Sequence, residues 1–101
     1  MNVAYKMIEN KNLRDFLKYE NIPLESLFTL FKECLGDSLL TFYGYNGLNE
    51  LYINDNRIEL TKDDLGNPKI IVKELREDNR KTYRIVRKGR KGFEAVLEVW
   101  S

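Results

Sequence analysis

LESLFTLFKECLGDSLLTFYGYNGLNELYIN, residues 24–54, changes its hydrophobic period partway along, and that change decides the fold. Leu24, Leu27, Phe28, Phe31 and Leu35 recur at the three-and-four spacing that stacks side chains on one helical face. Leu30 and Cys34 widen the stripe, and Gly36 offers a left-handed exit from the helix. Upstream, Ile22 precedes Pro23, which disfavours α conformation at Ile22 and suits the first turn of a helix. From residue 38 the apolar period falls to two, as expected when one face of a sheet is buried. Asn46 and Gly47 suit the left-handed positions of a two-residue hairpin turn. That turn would set Phe42 opposite Leu51 and Leu40 opposite Ile53 on the core face. On the reverse face it would set Tyr43 opposite Glu50, Thr41 opposite Tyr52 and Tyr45 opposite Leu48.

Working outward, Leu13, Phe16 and Leu17 predict a first helix over about residues 11–20, with Asn10 or Asn12 as its cap. Residues 2–8 read as a short initial strand. Downstream, Asn54–Asn56 mark a turn before RIEL, and KIIVKEL and KTYRIVRK flank the turn-like REDNR. In the last segment Phe93, Ala95, Leu97 and Val99 alternate with Glu94, Val96, Glu98 and Trp100. With the first set on the core face, a connection of three or five residues aligns Ile85 with Ala95 and Tyr83 with Leu97. Arg84 and Val86 then point outward beside Glu94, Val96 and Glu98. The expected fold is therefore α+β: an N-terminal helical pair (about 10–36) on one face of a mainly antiparallel sheet of about five strands (about 38–100). A chain of 101 residues makes this one domain, 1–101.

The net charge of +1 conceals a division. Residues 1–68 carry 7 Lys or Arg against 11 Asp or Glu, whereas residues 69–91 carry 10 against 3. Such asymmetry can steer a charged partner. No apolar run reaches the roughly 18 residues of a membrane span, and MNVAYKMIENKN lacks the pattern of a secretion signal. A cytoplasmic protein without a membrane partner is expected. The lone Cys34 lies in the apolar run of the second helix, where burial and the helix C-terminus oppose a reactive thiolate. With no histidine, a histidine-based triad is excluded, and one cysteine leaves no ordinary zinc cluster. Neither NDNRIE nor KDD has the spacing of a calcium loop, and neither GYNG nor RKGRKG forms a nucleotide phosphate loop. No metal, cofactor or catalytic residue is assigned.

Two candidate binding surfaces remain. Arg84, Arg87, Lys88, Arg90 and Lys91 cluster around Gly89 and Gly92 at the tip of the final hairpin. Paired donors of arginine, mobile lysine charges and exposed turn amides all suit phosphate, and with Arg80 and Lys81 they would position a nucleic-acid backbone. A wet, basic hairpin tip that keeps an edge from aggregating explains the same residues. Tyr43, Tyr45 and Tyr52 form the second surface, suited to stacking on bases or to anchoring a protein partner, unless they help bury the helices. The acids Glu20, Glu25, Glu33, Asp37, Glu50, Asp55, Glu59, Asp63 and Asp64 either solvate their elements or attract a basic protein, and Glu25 suits the first turn of its helix. The sequence thus favours a small non-enzymatic binding or regulatory protein contacting nucleic-acid phosphates. The chief alternative is a protein-binding inhibitor or adaptor. Both monomer and homodimer fit the pattern.

An initial strand, two helices and a terminal antiparallel sheet are also similar in element order to the small bacterial messenger-RNA-cleaving toxins. That resemblance rests on no diagnostic motif. It implies metal-independent phosphoryl transfer, with Arg84, Arg87 and Lys88 stabilising phosphate and Tyr83 moving or positioning a proton. The competing expectation is that Tyr83 packs with Leu97 on the core face.

Overall fold

Asn10 caps the first helix, its Oδ1 accepting the Leu13 N–H at 2.9 Å. A computed structural model describes residues 10–36, 39–45, 50–90 and 92–100, without the side chains of Tyr45 and Trp100. Helix α1 spans Lys11–Glu20 and ends where Asn21 turns left-handed (φ 58°). There the Ile22 N–H returns to the Leu17 carbonyl at 2.9 Å, satisfying an orphan acceptor of the last turn. Pro23 then opens helix α2, Leu24–Leu35, and Gly36 (φ 65°) ends it as its spacing predicts. The apolar stripes of both helices turn inward: Leu13, Leu17, Leu27, Leu30, Phe31 and Cys34 are buried.

Among the described residues the sheet has six strands in meander order, every neighbour antiparallel. They are β1 (Phe42–Tyr45), β2 (Glu50–Ile53), β3 (Asn56–Lys62), β4 (Pro68–Glu74), β5 (Arg80–Lys88) and β6 (Gly92–Trp100). Leu51, Ile53, Ile58, Leu60, Ile70, Val72, Tyr83 and Ile85 alternate onto the face that receives the helices, forming one core with them. The expected helical pair over one sheet face is thus observed. The expected initial strand at 2–8 lies outside the described residues.

The first hairpin departs from the register that Asn46 and Gly47 suggest. Phe42 faces Ile53 and Tyr45 faces Leu51, with an irregularity between Phe42 and Gly44. A two-residue turn would instead have brought Tyr45 to Leu48. The four residues 46–49, among them the expected turn and Leu48, lie outside the described residues. Asn54 holds this register in place. Its backbone N–H donates to the Thr41 carbonyl (2.8 Å), its Oδ1 accepts the Thr41 N–H (2.8 Å), and its Nδ2 donates to the Leu39 carbonyl (3.3 Å). The side chain does this from a left-handed backbone, φ 55°, which asparagine tolerates better than most residues. Asn54→Ala removes two of these bonds and keeps the unfavourable backbone angle, so it should cost about 2 kcal/mol in urea denaturation. Asn54→Gly, which relieves the angle, should cost less than the alanine.

The last hairpin follows the expected pairing. Ile85 faces Ala95 and Tyr83 faces Leu97, and three residues join Lys88 to Gly92. Two positions differ. A bulge beside Thr82 and Tyr83 brings Val99 opposite Thr82, an outward-facing residue, so Val99 leaves the core face and is exposed. Leu97 stays opposite Tyr83 but is also exposed, because among the described residues β6 is the sheet edge and Phe93 and Ala95 are its side chains packed on the core. Glu33 of α2 reaches over that edge to accept the Ala95 N–H at 3.0 Å. The bulge and this carboxylate both hinder another chain from pairing with the edge.

Candidate functional site

The hairpin cations divide between the two faces of the sheet. On β5 the core-facing positions are Tyr83 and Ile85, so Arg84 and Lys88 point to the outer face and Arg87 to the helix side. Arg87 lies over the Phe93 ring, 5.1 Å from its centroid. Arg90 follows Gly89, whose left-handed backbone (φ 65°) makes the turn. Arg87 and Arg90 border a hollow of about 350 Å³ with Asn21, Pro23, Glu25 and Ser26. Lys91 lies outside the described residues. Arg84 already has a carboxylate partner, Glu98 at 3.8 Å, which also holds Lys69 at 2.6 Å. The tip therefore does not gather its charges around one point.

Strand pairing gathers charge elsewhere. On the outer face Arg57 of β3 stands opposite Lys73 of β4, and Lys73 stands opposite Arg80 of β5. Directly opposed side chains on adjacent strands have β-carbons about 5 Å apart, and like charges in that position oppose folding. Four residues along β4, Lys69 stands opposite Arg84, and Glu98 pairs with both. The outer face of β3–β5 thus carries Arg57, Lys69, Lys73, Arg80, Arg84 and Lys88, together with the carboxylate of Glu59 opposite Ile71. Glu50 takes part of the charge of Arg57 (3.3 Å), whereas Lys73 forms no ion pair among the described residues. Between the two basic rows Ile71 is buried although it faces outward, flanked along its strand by Lys69 and Lys73. Long lysine stems readily cover such a residue and keep their ammonium groups in water.

The first row continues into an aromatic side chain. Tyr52 of β2 is opposite Arg57, whose guanidinium carbon lies 5.7 Å from the ring centroid. On its other side Tyr52 faces Gly44 of β1, where an added β-carbon would meet no atom of the described residues within 4 Å. The row Tyr52–Arg57–Lys73–Arg80 therefore begins with a half-buried ring that has a cation on one flank and, among the described residues, a glycine without a side chain on the other. Tyr43, at the irregular point of β1, is 70% exposed. The Tyr45 side chain lies outside the described residues.

Other candidate groups have structural employment. Tyr83 is buried, and its hydroxyl donates to the Cys34 carbonyl at 3.1 Å, satisfying an acceptor in the last turn of α2. Burial raises its pKa. It faces the helices while Arg84 and Lys88 face away, so the grouping implied by the toxin resemblance does not form. Cys34 is buried, and desolvation, followed by the charge of Glu33, pushes its thiol up to about 12. We expect iodoacetamide to label Cys34 only as the protein unfolds; labelling of native protein at the rate of a free thiol would contradict this burial. Among the acids, Glu20 pairs with Lys62 (2.9 Å) and Asp55 with Arg76 (3.5 Å). Asp63 accepts from the Leu65 and Asn67 amides within its own loop, which lowers its pKa. Asp37 lies outside the described residues. Among the described residues no three Asp, Glu or Cys side chains converge as a metal cluster, and no helix is long and apolar enough to cross a membrane.

Sequence reading did not single out Arg57, Lys69 or Lys73 for binding. The signal was the period-two spacing of Lys69, Ile71 and Lys73, which becomes a surface only once β3 and β5 are in register. Searches of protein-family models, curated proteins and solved structures find no match to this chain.

Proposed function

We propose that this chain is a small, non-enzymatic, cytoplasmic binding protein that holds a nucleic-acid backbone on the outer face of its sheet. The observation that carries this reading is the cross-strand row Arg57–Lys73–Arg80. Lys73 stands between two arginines, a placement of like charges that works against the fold, and phosphate oxygens laid over the row would relieve it. Lys69, Arg84 and Lys88 extend the same field, so the surface suits a ligand with several phosphates better than one small anion. These contacts neutralise and position a backbone without reading base edges, which implies weak sequence discrimination and strong salt dependence.

The test is binding of mixed-sequence DNA and RNA across a salt series. With about four or five phosphates contacted, affinity should fall by roughly 100-fold between about 50 and 200 mM salt. Lys73→Ala and Lys88→Ala should weaken binding and flatten the salt dependence, whereas Arg87→Ala, on the helix side, should do little. Absence of binding to both polymers at low salt would overturn the reading. Recovery of a defined protein partner in that case would favour the adaptor alternative.

A further inference from the structure

We infer that the nucleic acid held on this face is single-stranded, with a base stacked on Tyr52 and its backbone crossing the strands toward Arg80. The inference rests on the phosphate-binding reading and adds the class of nucleic acid. Its basis is the continuity of one row: Tyr52 opposes Arg57, Arg57 opposes Lys73 and Lys73 opposes Arg80. A stacking ring and three cations are thus consecutive across four strands. On the β1 side the half-buried ring has Gly44 as its neighbour, where an added β-carbon would meet no atom of the described residues within 4 Å. Arg57 beside the ring can hold the phosphate next to a stacked base.

A duplex cannot use this arrangement. At about 4.8 Å between strands, six strands make a face roughly 24 Å across, whereas a major groove about 12 Å wide admits a helix or a two-stranded ribbon. A duplex would lie on the face and offer phosphates alone, its bases stacked on one another and out of reach of Tyr52. A single strand can turn a base outward onto the ring, a contact that tolerates any base because each has a π-face. The surface therefore supplies a reason to prefer unpaired strands.

The experiment measures fluorescence anisotropy with a short labelled oligonucleotide, single-stranded or annealed to its complement, and uses inorganic polyphosphate as a competitor without bases. The proteins are the wild type, Tyr52→Ala, Tyr52→Leu and Tyr52→Phe, each checked for folding by circular dichroism. Wild type should bind the single strand more tightly than the duplex. Tyr52→Ala and Tyr52→Leu should lose about 5- to 150-fold on the single strand and under about twofold on duplex and polyphosphate, while Tyr52→Phe keeps wild-type affinity. Leucine retains bulk on the sheet, so a parallel loss with alanine separates stacking from packing. Equal binding of single strand and duplex, with no effect of Tyr52→Leu, would overturn the single-strand inference and leave phosphate binding intact. Failure of all three polyanions to bind would remove both.

Discussion

Lys73→Glu is expected to make the fold more stable and the binding face ineffective. Lys73 stands between Arg57 and Arg80, so one substitution turns two like-charge cross-strand contacts into two attractive ones. Cross-strand charge pairs contribute roughly 0.2–1 kcal/mol each, and water discounts them at the surface, which gives a gain of about 1 kcal/mol. For a domain of this size that raises the melting temperature by about 4–8 °C at low salt. Near 1 M salt, where screening acts over about 3 Å, most of the gain should vanish. Binding should move the opposite way. The substitution removes one phosphate contact and adds a repelling carboxylate in the middle of the row, so affinity for an oligonucleotide should fall by at least about tenfold at low salt. A residue that merely solvates the sheet would give the stability change without the binding change. A rise in stability at the expense of binding is what a site that costs the fold something predicts. Thermal melts and anisotropy on the same preparation check both halves.

Phe31→Ala should cost about 3–5 kcal/mol, the range for removing a large aromatic side chain from a well-packed interior. Phe31 is fully buried, in the centre of the α2 stripe, and its cluster includes the inward side chains of β2–β5. Domains of this length have a total stability of about 5–15 kcal/mol, so the loss takes about a fifth of it or more. Urea denaturation should show a much lower midpoint, and Phe31→Leu, which keeps most of the volume, should cost far less. The outer face has no independent means of support. Without α2, the side chains of Leu51, Ile53, Ile58, Leu60, Ile70 and Val72 would meet water, so oligonucleotide binding should disappear together with the folded signal. Binding that survived the loss of helical circular dichroism would show that the helices are dispensable to the surface.

The fold was legible because period outlasts register. A shift of two residues in the first hairpin, from Phe42 opposite Leu51 to Phe42 opposite Ile53, leaves Phe42, Leu51 and Ile53 on the expected face. The irregularity after Phe42 turns the rest of β1 over, setting Gly44 opposite Tyr52 and Tyr45, expected on the outer face, opposite buried Leu51. The Asn46–Gly47 signal was local, whereas the pairing answers to Asn54, thirteen residues from Thr41 and fifteen from Leu39, whose bonds no local pattern announces. Val99 was misplaced for a different reason: one bulge reverses a face, and nothing in FEAVLEVW marks it. The proposed binding surface was legible only in part. A basic run along a strand alternates between faces, so the cations that cluster in sequence, Arg84, Arg87 and Lys88, separate in space. Arg57, Lys73 and Arg80, scattered in sequence, become neighbours through two antiparallel pairings. Tyr52 was visible as a stacking candidate, but its place at the end of the cationic row followed from the β2–β3 register.

Amide chemical-shift mapping with a short single-stranded oligonucleotide tests the account most directly. It predicts that the largest changes fall on Tyr52, Arg57, Lys73 and Arg80, with smaller ones at Lys69 and Arg84 and none along α1. Changes centred on Gly89, Arg90 and the start of α2, or no changes at low salt, would contradict it.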